Sequence, residues 1–301
     1  MASSDSNDDA LASRIMKYVT SKGSDLPPFP GDDVESLPSD YEYEEGLEDE
    51  EEEIEEISEM DLLGHLDASM PPLLLAQELF NEDVDAKPFK VLTADNANDL
   101  FQQGYTILED VMDLSVMKEV RQWGIHLYKN GQMDKASEKH NVEEDPFRDG
   151  NARGDYTIWV SPGSVFLKQS SALKHCVDWF SKVLHEDLAK IVHLNGQAEY
   201  QLAYYPPDPS HYERHRDSFP ISDRNDKDQR RVTAIVYFNS EWEQGDGGEL
   251  RIFDKGMGDE EEKQMDVAPK AGRCVVFLSG VMDHAVLPAF RERIALTSWY
   301  R

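Results

Sequence analysis

From residue 197 onward the apolar positions come in short runs separated by clusters of Pro, Gly, Asn and Asp, which is the signature of strands. The runs fall at 200–205, 212–217, 232–238, 249–253, 264–267, 273–278, 285–287 and 294–300. About eight strands at this spacing predict a jelly-roll type double sheet, a double-stranded β-helix. Upstream the period lengthens. Residues 95–103 predict a short helix stopped by Gly104, and 105–108 a strand. Across 114–129 the apolar residues Val116, Met117, Val120, Trp123, Ile125, Leu127 and Tyr128 predict a helix with one face on a sheet, ended by Asn130-Gly131. A strand follows at 156–160. A second amphipathic helix is expected over 171–191, with Leu173, Val177, Phe180, Leu184 and Leu188 inward and Asn195-Gly196 as its stop. The expected class is therefore α+β, with the helices covering one outer face of the β core.

Two stretches lack any period. Residues 132–151 are polar and charged, and a loop this long inside a domain is usually functional or mobile. Residues 1–69 read as a disordered acidic tail, because like-charge blocks repel and cannot bury enough apolar surface to offset ordering entropy. Between them, 70–97 reads as a connecting segment that leads, through Pro71-Pro72-Leu73-Leu74-Leu75, to a folded domain at 98–301.

Charge sharpens this division. The chain of 301 residues carries a formal −31, and the first 70 residues hold 22 Asp/Glu against 3 Lys/Arg, a balance of −19 that leaves −12 for the rest. Neutralising nucleic-acid phosphates needs a basic footprint, so duplex nucleic acid is not an expected partner. Two cysteines, Cys176 and Cys274, give neither a disulfide framework nor a zinc cluster and suit a reducing interior. No apolar run approaches the roughly 18 residues of a membrane span, and the acidic start has no secretory h-region or transit-peptide character. No membrane partner and a cytoplasmic or nuclear location are the expectations.

One pair of residues directs the chemistry. His215-Arg216-Asp217 on a strand would put a histidine and a carboxylate on the same face, filling two positions of a 2-His-1-carboxylate triad of the non-heme Fe(II) type. Alone the pair is weak, since His-x-Asp arises by chance in a chain of this length about as often as not. His284, the only later histidine, is the candidate third ligand, although a lone His at a strand start is more often a surface or capped residue. His211 with His215 would be an alternative zinc pair at helical spacing, which Pro206, Pro207, Pro209 and Pro220 disfavour. Arg293 lifts the metal reading. A planar guanidinium just before the apolar strand Ile294-Ala295-Leu296 could hold a carboxylate bidentately inside a barrel. Tyr205 and Tyr237, on predicted core strands, could add hydroxyl donors, and each could equally be core packing.

Together these stretches resemble the prolyl hydroxylases that act on hypoxia-inducible factor and their protist and bacterial relatives. The resemblance covers roughly 98–301. It rests on Arg153-Gly154-Asp155-Tyr156-Thr157-Ile158-Trp159, Tyr204-Tyr205-Pro206-Pro207, His215-Arg216-Asp217, Arg231-Val232-Thr233-Ala234-Ile235-Val236-Tyr237-Phe238-Asn239, Gly247-Gly248-Glu249-Leu250-Arg251-Ile252-Phe253, His284-Ala285-Val286 and Arg293-Ile294-Ala295-Leu296-Thr297-Ser298-Trp299-Tyr300, in matching order and spacing.

The resemblance implies that His215, Asp217 and His284 bind Fe(II). It implies that Arg293 and Tyr237 hold the distal carboxylate of 2-oxoglutarate, while Tyr205 and Thr297 contact the cosubstrate elsewhere. Trp159 and Trp299 would line the mouth where a proline of a protein or peptide substrate enters. Arg230 would sit at the substrate rim, paired with Asp155, and 132–151 would be the loop that closes over the peptide. O2 would be the second cosubstrate, with ascorbate as a further candidate requirement, and an oxygen-sensing role would be inferred from relatives. The implied activity is peptidyl-proline 4-hydroxylation. Alternatives are a 2-oxoglutarate oxygenase acting on another residue or a small molecule, and an inert jelly roll whose acidic tail serves interaction.

Overall fold

The computed structural model describes residues 73, 76–81, 88–136, 152–219, 226–254 and 262–301. The expectations for the acidic tail, and for most of the 132–151 loop, lie outside the described residues.

Among the described residues eleven strands form two antiparallel sheets. The strands are β1 (Tyr105–Leu108), β2 (Asp134–Lys135), β3 (Tyr156–Trp159), β4 (Ala198–Tyr205), β5 (Ser210–His215), β6 (Val232–Tyr237), β7 (Leu250–Asp254), β8 (Lys263–Val267), β9 (Cys274–Leu278), β10 (Asp283–Ala289) and β11 (Arg293–Tyr300). The larger sheet runs β1-β9-β6-β11-β4-β3-β2 and the smaller β5-β10-β7-β8. The eight strands from β4 to β11 correspond one for one to the eight apolar runs of the sequence. The short β1, β2 and β3 lengthen the larger sheet at its two edges.

The larger sheet is buried on both faces, so its strands read as nearly continuous apolar runs although their side chains still alternate. On one face Tyr200, Leu202, Tyr204, Val232, Ala234, Val236, Cys274, Val276, Leu278, Ile294 and Leu296 join the helices in one core. On the other, Ala203, Tyr205, Ile235, Tyr237, Val275, Phe277 and Ala295 face Leu250, Ile252, Val267 and Val286 of the smaller sheet. Each large aliphatic side chain removed from water this way stabilises the fold by about 1.5–3 kcal/mol.

The helical layer is built as its sequence predicts, with one break. Helix α1 (Ala94–Gln103) starts at a Thr93/Asn96 capping box and stops at Gly104, whose φ of 81° is left-handed and whose N–H donates to Leu100 O. Helix α2 (Leu114–Lys129) buries Met117, Val120, Gly124 and Leu127. After the short α3 (Val165–Gln169), the helix expected over 171–191 consists of α4 (Ser171–Trp179), a π-turn (Phe180–Leu184) and α5 (His185–Ile191). The Phe180 carbonyl within the π-turn accepts a 3.0 Å hydrogen bond from the Tyr300 hydroxyl, which ties the helix to the last core strand. The helix stops at Ile191, four residues ahead of the expected Asn195-Gly196 signal, because Val192 is already extended and bridged to Phe80.

Packed structure also reaches further toward the N-terminus than a boundary at 97/98 allows, since that position lies inside α1. Leu73, Ala76, Leu79 and Phe80 belong to the core. The segment before α1 is held by Asp187, a fully buried carboxylate that accepts from the backbone N–H groups of Lys90, Val91 and Leu92 and from Lys190 Nζ. Among the described residues no helix is long and apolar enough to cross a membrane.

Candidate active site

The space between the sheets opens into a cavity of about 270 Å³ lined from both sides. The smaller sheet brings the histidines together, for β5 and β10 pair with His215 directly opposite His284. Asp217 arrives by a different route from the one its spacing suggested. Strand β5 ends at His215, so Asp217 stands two residues beyond the ladder in a bend rather than on the strand face. The bend still delivers it. The Asp217 Oδ1 atom lies 3.7 Å from His215 Nε2, and Oδ2 lies 3.9 Å from His284 Nε2. All three ligand atoms fall within 4.8 Å of one another.

Both rings are oriented in the same way. His215 Nδ1 donates to Glu213 O at 2.8 Å and His284 Nδ1 to Met282 O at 3.1 Å. A carbonyl can only accept, so Nδ1 carries a proton in each ring and Nε2 is the atom that faces Asp217. Burial, with the His284 ring beside it, pushes the His215 pKa down to about 3, which keeps the imidazole neutral. Burial would raise the Asp217 carboxyl, but the two imidazoles and a 2.8 Å hydrogen bond from Thr233 Oγ1 outweigh it, and the net shift is downward. Two imidazoles oriented through their Nδ1 atoms and one carboxylate, with room beside them, are the donor set that suits Fe(II) with open positions. The residues fit that metal.

Deeper in the cavity Arg293 is 3% exposed. Its Nε donates to Gly248 O at 2.7 Å, and its guanidinium carbon lies 4.6 Å from the Tyr205 ring centre and 5.1 Å from that of Tyr237. Among the described residues no carboxylate pairs with it. Gly248 makes this approach possible: at φ 72° a Cβ there would sit 2.9 Å from Arg293 Cδ. The Tyr237 hydroxyl is buried without a hydrogen-bond partner among the described residues. Burial pushes its pKa up to about 12, and Arg293 tempers the rise from nearby without meeting hydrogen-bond geometry. A buried cation and an orphan hydroxyl are costly unless something pairs with them. A dicarboxylate reaching in from the metal would satisfy both, so 2-oxoglutarate fits as well.

Thr297 and Trp299 lie on the same face of β11 as Arg293 and line the cavity with Tyr205. Trp159 is 44% exposed and Trp299 mostly buried, their rings 5.5 Å apart, and together they form an aromatic wall at the opening. One expected pair is overturned. Arg230 stacks on Trp299 at 4.3 Å and pairs with Glu199 at 2.9 Å, whereas Asp155 is fully buried and forms a two-point pair with Arg153 at 2.7 Å. The register explains it. Arg230 sits by the Glu199 end of β4 and Asp155 by its Tyr205 end, six strand residues or about 20 Å away.

Sequence reading passed over Arg153, Gln201 and Tyr212 as cavity residues. Gln201 shares strand parity with Tyr205 and could have been found that way. Tyr212 stacks on His215 at 3.7 Å and Arg153 lies over the Tyr212 ring at 4.2 Å, an arrangement that no sequence spacing reveals. Burial works against the Arg153 charge, but Asp155 outweighs it and holds the guanidinium pKa above its usual value.

The chain is similar to proteins with this kind of centre. The family model described as the 2OG-Fe(II) oxygenase superfamily matches residues 200–301. A solved prolyl-4-hydroxylase from Pseudomonas putida is 30% identical with a TM-score of 0.55, covering 69% of this chain and 97% of that one. A prolyl hydroxylase from Trichoplax adhaerens, solved with a hypoxia-inducible factor oxygen degradation domain peptide fragment, is 25% identical with a TM-score of 0.53, covering 68% and 86%. The hypoxia-inducible factor prolyl hydroxylase of Caenorhabditis elegans is 30% identical over 177 residues, which are 58% of this chain and 22% of that protein. The chain thus spans well under half the length of this curated relative. Metal-ligand cluster, buried arginine and family match fall in the same stretch of sequence, and the chain belongs to the 2OG-Fe(II) oxygenase superfamily.

Proposed function

We propose that the chain is a protein prolyl 4-hydroxylase that uses Fe(II), 2-oxoglutarate and O2 to hydroxylate a proline in an intracellular protein. One observation carries this reading: the His215–Asp217–His284 cluster and Arg293, which has no carboxylate partner among the described residues, open onto one cavity with an aromatic mouth. The 30% identity to a bacterial prolyl-4-hydroxylase over 97% of its length supports proline as the target. When bound, iron and 2-oxoglutarate supply the oxidative chemistry.

The chain's own part is ligation, positioning and exclusion of water. His215 Nε2, His284 Nε2 and the Asp217 carboxylate hold Fe(II). Arg293 takes the distal carboxylate of 2-oxoglutarate, the Tyr237 hydroxyl adds a donor, and Tyr205 and Thr297 flank the chain of the cosubstrate. Trp159 and Trp299 receive the substrate proline, with Arg230 fixed against Trp299 at the rim. Asp155 acts through Arg153, holding it against Tyr212 beside the metal ligand. In this reading the packed domain, which takes in Leu73, Ala76, Leu79, Phe80 and the whole of α1 as well as 98–301, carries the activity and follows the acidic tail 1–69, and a hypoxia-inducible-type transcription factor is one candidate substrate. Buried, unpaired Cys176 and Cys274 support a cytoplasmic or nuclear setting. The strong negative charge argues against nucleic acid as a partner.

The test is conversion of 2-oxoglutarate to succinate by the purified chain with Fe(II), alone and with peptide, combined with mass spectrometry for one added oxygen on a proline of captured partners. No turnover in any condition, together with an Arg293→Ala protein indistinguishable from wild type, would overturn the reading.

A further inference from the structure

Thr233 sits on β6 among Val232, Ala234, Ile235 and Val236, and both it and Ser279 are fully buried. Its Oγ1 lies 2.8 Å from Asp217 Oδ2 and 2.8 Å from Ser279 Oγ. The contact to Asp217 is a donation from the hydroxyl, so Thr233 spends its one proton there. Ser279 must then donate to Thr233. The polarity runs one way, from Ser279 to Thr233 to Asp217. Ser279 also grips the bend that carries Asp217, because its carbonyl accepts from Ser218 N at 3.2 Å while its own N–H donates to Arg231 O at 2.9 Å.

A β-branched residue in the middle of a buried strand has an ordinary explanation, namely strand propensity. Valine would meet that need with the same shape and without the cost of burying a hydroxyl. The described partners of the hydroxyl are Asp217 and Ser279, so its use is to hold the carboxylate. Neither Thr233 nor Ser279 lines the cavity, and neither touches substrate.

We propose that Thr233, backed by Ser279, is a positioning residue for the metal. By engaging Oδ2 it fixes the rotation of the carboxylate, with Oδ1 toward His215 Nε2 and Oδ2 toward His284 Nε2, and holds a group that no strand ladder fixes. The proposal rests on the reading of His215, Asp217 and His284 as metal ligands. It assigns a second residue pair whose effect is felt first in metal affinity.

The experiment is calorimetric titration of the purified full chain with Co(II), without 2-oxoglutarate, alongside thermal melts of the metal-free proteins. Losing an outer partner of a metal ligand typically weakens binding about 10- to 100-fold. Thr233→Val is expected to weaken Co(II) binding about tenfold, with the metal-free melt unchanged or raised. Ser279→Ala is expected to lose a few-fold and Thr233→Ser to restore wild-type affinity. Wild-type affinity in Thr233→Val overturns the proposal, as does a loss that Thr233→Ser fails to rescue. Failure of the wild type to bind Co(II) more tightly than His215→Ala overturns the metal-site reading itself, a distinct result.

Discussion

Replacing Arg293 by methionine separates binding from folding. The side chain is similar in length but carries no charge, and the guanidinium it removes has no carboxylate partner among the described residues. Truncating one side of a buried charge pair costs about 2–5 kcal/mol. At about 1.4 kcal/mol per tenfold, 2-oxoglutarate should bind from about 30-fold to several thousandfold more weakly. Take about 100-fold. With metal present and ligand at 100 times the wild-type Kd, binding stabilises the wild type by about 2.7 kcal/mol, but the variant, now at its own Kd, by only about 0.4 kcal/mol. A domain of this size melts about 2–4 °C higher per kcal/mol, so the ligand should raise Tm by about 5–11 °C in the wild type and by about 1 °C in the variant. The metal-free baseline should move little. Relief from burying a cation offsets the donor lost by Gly248 O, worth about 1–3 kcal/mol. Differential scanning fluorimetry under nitrogen, with Mn(II) in place of Fe(II), measures both numbers. A variant that keeps the full ligand-induced shift would show that Arg293 is not the carboxylate anchor.

Gly248→Ala should have the opposite balance. Its left-handed backbone and the 2.9 Å approach to Arg293 Cδ predict a loss of about 1–3 kcal/mol in denaturant melts and a displaced arginine, hence weaker 2-oxoglutarate binding as well. Burial lowers the His185 pKa below its usual 6.5, and its Nε2 has no hydrogen-bond partner. The folded state therefore disfavours the protonated form: the stability from neutral His185 is present above pH 6.5 and is lost as pH falls from there toward the folded pKa. His185→Phe should flatten that part of the Tm–pH curve, and an unchanged slope would refute the assignment. Asp187→Ala strips the acceptor from three backbone N–H groups and leaves Lys190 buried without its pair, at a cost of about 3–5 kcal/mol. Amide exchange at Leu92 should rise ahead of exchange within α1, and protection equal to wild type would contradict the role given to Asp187.

The parts of the fold that follow from local pattern were legible in the chain. Strands β4, β6, β9 and β11 announce themselves as apolar runs, and α1 is stopped by Gly104, so their places were predicted within a residue or two. Elements fixed by tertiary contact were not. The π-turn at Phe180 meets the Tyr300 hydroxyl from 120 residues away, and β2 exists only through its two rungs to β3. The same division runs through the site. The sequence reading named His215, Asp217, His284 and Arg293, but it put Asp217 on a strand that has already ended. The resemblance implied a pair of Arg230 with Asp155, whereas register decides partners and gave Glu199 to one and Arg153 to the other.

The two-sided burial of the larger sheet has a consequence for how the protein can change. Along β4, β6 and β11 the chemistry sits on odd-numbered positions, among them Gln201, Tyr205, Thr233, Tyr237, Arg293, Thr297 and Trp299, and the helix-facing packing on even ones such as Leu202, Tyr204, Val236, Ile294 and Leu296. Substitutions on one set can retune the cosubstrate cavity while the other keeps the scaffold. A single-residue insertion inside any of these strands spares neither, for it would turn Arg293 or its counterpart into the helix layer and an isoleucine or leucine into the cavity.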